Sequence, residues 1–329
     1  MPHTEFRLPA EWERQSATLL AWPHPRTDWS ERLPGIQQEY AELVKAIAHR
    51  QLVVLLVPPD SDEARQRLGD MPGLRLVEAA YNDTWCRDYG PITLVGGDKR
   101  LALDFNFNGW GGKYPAADDN RINTLLARHQ LFSRLRFRQY LFELEGGAID
   151  CDGAGTLLVN WHCLHARHPN LSRAEIEFEL HELLRVERVI GIDIEPLPGD
   201  DTDGHIDTLA RFIAADTITW QGQPDAQRSG RLKSQLEQLR TSDDQPYRLL
   251  ELPPPVGVDP TLPANYVNFL FVNGACLVPA YGVPADADAL KVLADALPEH
   301  EVEAVNSAVM IEEFGGPHCA SMHIPAALG

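Results

Sequence analysis

Gly315-Gly316-Pro317-His318-Cys319-Ala320-Ser321-Met322-His323 is the stretch on which the reading of the chain turns. Two glycines and a proline impose a bend directly before one thiol, since glycine tolerates torsions other residues resist and proline locks φ and removes a donor. Only ten residues follow that thiol. Counting back from it, polar motifs recur at near-equal intervals. Asp88, Glu145, His205, Asn268 and Cys319 are separated by 57, 60, 63 and 51 residues, each at a Gly- or Pro-marked junction or beside a strand. Polar residues belong at strand ends in general, which explains where they lie but not why they recur so evenly. If five β/α units stand around an axis, equivalent strand ends meet at the centre, and each unit delivers one polar group to a single site.

The hydrophobic pattern keeps the same beat. Helices are expected over 35–51, 118–130, 172–184, 227–240 and 286–297, centred near 43, 124, 177, 234 and 291. The first places Ile36, Tyr40, Leu43, Val44 and Ile47 on one face, and the third opens with the capping-box spacing Ser172…Glu175. A shorter helix is expected over 62–68. Between the helices, apolar runs read as strands at 17–22, 52–57, 74–78, 92–95, 100–107, 135–142, 186–192, 208–213, 247–252, 266–272 and 302–305, with a hairpin over 148–160. The repeat is one of pattern, with little residue identity between units. It implies an α/β fold with one large symmetric domain spanning 1–329.

Composition narrows the function. Apolar residues make up 44%, enough for a substantial core. The 29 basic against 48 acidic side chains give a net charge of −19, which argues against nucleic-acid binding and favours a small cationic partner, although solubility alone is the simpler reading of the total. The five cysteines are odd in number and form no CxxC motif, so a disulfide framework is not expected. No apolar stretch of 18 residues occurs, and the first six residues lack a basic segment followed by an apolar run. The expectation is a cytoplasmic protein that does not engage a membrane.

A cysteine nucleophile acts as its thiolate, and an incoming cation favours that form. His205 is suited to proton transfer, and Asp88 and Asp207 to bidentate pairing with a planar cation that carries several N–H donors. Each residue alone has an ordinary structural reading: a small buried hydrophobe, a hydrogen-bonding histidine, a turn-capping aspartate. Together they suit attack on a guanidinium carbon.

The motifs resemble those of one family. Trp85-Cys86-Arg87-Asp88-Tyr89-Gly90-Pro91 is similar to the WxRDxGP motif of the agmatine deiminase and bacterial peptidylarginine deiminase family. Glu145-Gly146-Gly147 resembles its EGG segment, and Gly204-His205-Ile206-Asp207 with Arg211-Phe212 its GHxD…F motif. Leu8-Pro9-Ala10-Glu11-Trp12-Glu13, Ala21-Trp22-Pro23, Trp110-Gly111-Gly112 and Tyr266-Val267-Asn268-Phe269 follow the family pattern in order. The resemblance implies a pentein fold, a five-bladed α/β propeller with pseudo-fivefold symmetry. It implies Cys319 as nucleophile, His205 as general acid/base, and Asp88 and Asp207 as the guanidinium clamp, with a covalent thiouronium intermediate. It places Glu145, Asn268, Trp85, Trp110 and Arg87 in the substrate pocket, and requires no metal or organic cofactor. The tail departs from the family's GGGxxHCxTxQ pattern: it is shorter and lacks the Thr and Gln. Agmatine is the favoured substrate, with peptidylarginine or free arginine as alternatives. His162-Cys163-x-His165-x-x-His168 raises a metal hydrolase as a more distant alternative, although the stretch reads as a surface connector. A pentein kept only for binding is disfavoured, because all four central residues are present. The assembly state is left open, a homodimer being one option.

Overall fold

A computed structural model describes residues 5–59 and 61–328; the opening residues 1–4, read above as lacking a targeting segment, lie outside it. The chain begins with three parallel strands, β1 (Gln15–Ala21), β2 (Leu52–Val57) and β3 (Leu74–Glu78). Parallel neighbours need a crossover. The helix Leu33–Ala48 supplies the first, burying Ile36, Tyr40, Leu43, Val44 and Ile47 on the face the sequence predicts. Full burial of each such side chain contributes roughly 1.5–3 kcal/mol.

A unit of different order then repeats. β4 (Ile92–Gly96) runs antiparallel to β5 (Lys99–Asn106), and β5 runs parallel to β6 (Arg136–Glu143). The same antiparallel-then-parallel order joins β7 (Ile149–Cys151), β8 (Thr156–Asn160) and β9 (Arg188–Ile192). It recurs in β10 (Ala210–Ala214), β11 (Thr217–Gln221) and β12 (Arg248–Leu252). It recurs again in β13 (Leu270–Val272), β14 (Ala275–Ala280) and β15 (Glu301–Asn306). Helices Arg173–Leu184, Ala226–Leu236 and Ala285–Ala296 cross over the last three units, the first with both halves of the Ser172–Glu175 capping box formed.

The final strand, β16 (Met322–Pro325), pairs antiparallel with β1, setting Met322 opposite Leu19 and Ile324 opposite Ala17. It gives the opening sheet the antiparallel strand that the other four have. The five sheets thus form a pseudo-fivefold α/β propeller of the pentein type.

Two expected elements differ. The helix over 118–130 is broken into short turns, Asp119–Arg121, Ile122–Leu126 and Gln130–Phe132. Its polar side chains bond backbone elsewhere: Asp119 accepts from the amides of Asn82 and Asp83, and Asn120 from that of Phe107. Such local bonds compete with the helical ladder. The strand over 266–272 shortens to Leu270–Val272, because Asn265 bends the chain by accepting from the Asn268 amide.

Candidate active site

Each unit brings at least one polar group to the axis just before its antiparallel edge strand, and the unit of β10 brings two. Asp88 lies on the turn Cys86–Tyr89 before β4, Glu145 precedes β7, and His205 and Asp207 precede β10. Asn268 precedes β13 and Cys319 precedes β16. All six are buried.

Cys319 sits in a loop pinned from both sides. Its carbonyl accepts from the Arg87 amide at 3.1 Å, and its amide donates to Asn268 Oδ1 at 3.2 Å. The Sγ receives Asn268 Nδ2 at 3.0 Å and lies 3.6 Å from Asp207 Oδ2. The bend before it is set by close approach, because a Cβ on Gly315 would fall 2.3 Å from the Trp85 ring. Burial, then the charges of Asp207 and Asp88, push the thiol well above its ordinary range. The free site therefore holds it protonated, and a cation between the carboxylates works in the opposite direction.

His205 lies with Nδ1 3.7 Å from Asp88 Oδ1 and Nε2 3.4 Å from Glu145 Oε2. Burial opposes its cation, yet Asp88, Cys163 and Glu145 hold it well above the usual histidine range. Asp88 is fixed by the Gly147 amide on Oδ1 and by Trp110 Nε1 on Oδ2, both at 2.9 Å. Burial, with Asp207 and Glu145 adding to it, raises Asp88 to about 6 against the opposing pull of His205. The space enclosed by these groups is mapped by Gly147: a Cβ there would lie 2.5 Å from His205 Nδ1, 3.0 Å from Asp88 Oδ1 and 3.2 Å from Asp207 Oδ2.

Asp207 is arranged differently. His318 Nδ1 holds its Oδ2 at 2.7 Å, while Oδ1 has no hydrogen-bond partner among the described residues. Burial works against its ionised form, but the His318 bond and charge, then His205 and Arg211, keep it below the usual carboxylate range. Behind it stands Glu11, buried, which meets His318 Nε2 at 2.8 Å, Arg87 Nη2 at 2.9 Å and Arg211 Nη2 at 3.1 Å.

Of the residues expected in the pocket, Trp85 and Trp110 line a cleft of about 420 Å³ with Asp88 and Cys319. Trp110 takes a left-handed φ of 55° that turns its indole N–H onto Asp88. Glu145 stands behind His205, and its other oxygen holds Arg167 Nε at 2.5 Å. Arg87 is a correction: its side chain turns away from the cleft to Glu11, the His318 carbonyl and His323. The stretch from 162 to 168 is also corrected, since the helix Trp161–Arg167 replaces the expected surface connector. Its His162 is exposed, whereas His168 is buried and stacks on Phe142. Only Cys163 joins a cluster, its sulfur lying with ligand atoms of Glu145 and His205 within 4.8 Å of one another. The Arg167 guanidinium on Glu145 disfavours a metal cation there. Sequence reasoning missed Glu11, His318 and Arg167, although Glu11 and His318 sit inside quoted motifs.

The sequence model of the Porphyromonas-type peptidyl-arginine deiminases matches residues 7–325. An agmatine deiminase of Pseudomonas aeruginosa (strain LESB58) is 34% identical over 357 residues, covering 98% of this chain and 96% of that protein. A C. jejuni agmatine deiminase, solved as a cysteine-to-serine variant with substrate bound, superposes with a TM-score of 0.91 at 33% identity, covering 98% of this chain and 97% of that one. The agmatine deiminase of Enterococcus faecalis gives the same TM-score at 25% identity, covering 98% and 96%.

Proposed function

Because the chain belongs to the Porphyromonas-type peptidyl-arginine deiminase family, we propose that it is an agmatine deiminase. It is a hydrolase of guanidino C–N bonds, converting agmatine and water to N-carbamoylputrescine and ammonia, a step toward putrescine. The observation that carries this reading is the convergence of buried Cys319, His205, Asp88 and Asp207 around one point, with Asp207 Oδ2 3.6 Å from the sulfur, His205 Nδ1 3.7 Å from Asp88 and Asp207 Oδ1 left without a partner among the described residues.

The chemistry follows from the geometry. Asp88 and Asp207 grip the guanidinium from two sides. Its charge draws the Cys319 thiol toward thiolate, the thiol proton passing to solvent, and the sulfur attacks the central carbon. His205, held protonated, gives its proton to the departing nitrogen, which leaves as ammonia. The thiouronium left on Cys319 is then attacked by water, one of whose protons passes to His205. Collapse of that adduct breaks the C–S bond, its hydroxyl proton returns to the sulfur, and the neutral ureido product is released. Trp110 orients Asp88 through its indole N–H. Glu145 and Asn268 hold the acid/base and the sulfur.

The distal end of the substrate is favoured by charge. Asp28, Asp83, Asp201 and Glu313 also line the cleft, and no Lys or Arg does so among the described residues. Arg32 pairs with Glu313, and Asp201 accepts from the Tyr114 hydroxyl. Asp83 is pushed well above the carboxylate range by burial and by Asp28, Asp119 and Glu313, against its bond from the Thr84 amide. A second positive charge relieves that strain, and the carboxylate of free arginine aggravates it. The substrate class is therefore a guanidine with a cationic tail, the whole chain serving as one catalytic domain. Five free thiols support a reducing, cytoplasmic setting.

Ammonia release from agmatine, free arginine, butylguanidine and a blocked peptidyl-arginine tests this. Agmatine should give the highest kcat/KM, with butylguanidine turned over more slowly. Faster turnover of arginine or the peptide overturns the choice of substrate.

A further inference from the structure

We propose that His318 and Glu11 are positioning residues for the guanidinium clamp: they fix the Asp207 carboxylate by its Oδ2, which lies beside the Cys319 sulfur, and leave Oδ1 without a protein partner among the described residues. The proposal rests on the deiminase reading above and deepens it.

The two carboxylates of the clamp are supported differently. Asp88 is held by two neutral donors, the Trp110 indole and the Gly147 amide. Asp207 is held by an imidazole whose other nitrogen meets a second carboxylate, giving the chain Glu11–His318–Asp207 with contacts of 2.8 and 2.7 Å. A carboxylate only accepts, so each nitrogen of the His318 ring is placed to donate to one of the two acids.

The groups around this ring agree. Its carbonyl accepts from Arg87 Nε at 3.2 Å and its amide donates to the Asn268 carbonyl at 3.2 Å, so the backbone cannot swing. Arg87 and Arg211 approach Glu11 from two further elements, and the Phe271 amide donates to it at 2.8 Å. Asp150 lies beside Arg211 at 3.5 Å, and His323 lies 3.6 Å from Glu11, held largely neutral by burial. Glu11, although buried, stays well below the carboxylate range because Arg211, His318 and Arg87 surround it. The imidazole on Asp207 is thus anchored by a carboxylate whose ionised form is favoured by its neighbours.

Without His318, Asp207 would face burial and the charge of Asp88 with much less support. Its carboxyl would then titrate higher, toward the range of Asp88. His318 also borders a second depression, lined by Glu11, Arg87 and His323 among others, that shares no lining residue with the substrate cleft, so the position vacated in His318→Ala is bordered from a side other than that cleft.

The test follows log kcat/KM for agmatine against pH, in wild type, His318→Ala and Glu11→Gln. Wild type should fall with a slope of one below about pH 6, where Asp88 is the one clamp carboxylate that takes up a proton. His318→Ala should fall with a slope of two, and lose roughly 10- to 100-fold at neutral pH, the worth of a bond to a charged group. Added imidazole should restore both activity and the slope of one. Glu11→Gln, which keeps an acceptor for the Phe271 amide, should steepen the limb as well, and it carries the test if His318→Ala does not fold. Wild-type slopes in the folded variants, or a loss that tracks only their melting temperature, overturn the role of His318 and Glu11. Absence of ammonia release by wild type from both agmatine and butylguanidine instead overturns the deiminase reading.

Discussion

Replacing Asp207 by asparagine should make Cys319 more reactive toward a neutral alkylating agent while making the enzyme slower. The two effects have opposite signs because Asp207 plays opposite parts in the free and the bound site. In the free site its Oδ2 lies 3.6 Å from Sγ and opposes the thiolate. Two unit charges at that separation repel by roughly 4–5 kcal/mol at an effective dielectric constant of about 20. The His318 bond to the same carboxylate offsets part of this. Removing the remaining repulsion lowers the thiol pKa and should speed alkylation by roughly 10-fold or more at neutral pH. In the bound site the same carboxylate grips the guanidinium, and losing a charge-assisted bond costs about 1.5–3 kcal/mol, or roughly 10- to 150-fold in kcat/KM. The assay pairs the second-order rate of inactivation by iodoacetamide at pH 7 with ammonia release from agmatine. Slower or unchanged alkylation alongside reduced turnover would refute this account of Cys319.

Three further outcomes are expected. Asp88, at about 6, is protonated below that pH and ionised above it, so the acid limb of kcat/KM should centre there and vanish in Asp88→Asn; a limb that survives the substitution assigns it elsewhere. Gly147→Ala should lower turnover at least ~100-fold with little change in melting temperature, because its methyl group enters the clamp rather than the core; near-normal activity contradicts the mapped space. Arg87→Met should lower the unfolding free energy by about 3–5 kcal/mol in denaturant titrations, since it leaves Glu11 with one buried partner fewer; a loss under ~1 kcal/mol refutes a structural role for that pair.

Much of the fold was legible because one pattern is repeated five times. The intervals between Asp88, Glu145, His205, Asn268 and Cys319 reflect their shared position before the first strand of a sheet. Periodicity located four of the five main helices, whose apolar faces are set by local spacing alone. It failed at 118–130, where Asp119, Asn120 and Asn123 bond to backbone outside the helix. It also missed β16, a four-residue strand containing a histidine and a proline, which exists only because β1 lies alongside. Of the site, the chemically distinctive groups were visible and their supports were not. Glu11 and His318 are 307 residues apart, and no local signal marks their contact. Arg87 was misplaced for the related reason that a motif fixes a residue's order in the chain but not the direction of its side chain.

The pairing of β16 with β1 joins segments about 300 residues apart, Met322 lying opposite Leu19. Cys319, three positions before β16, reaches its place only when that closure occurs. A chain in which the two strands have not met therefore carries the clamp without the sulfur that reacts. Contacts so distant in sequence form slowly. Catalytic competence should accordingly trail the growth of secondary structure during refolding, with the docking of these four residues acting as the latch.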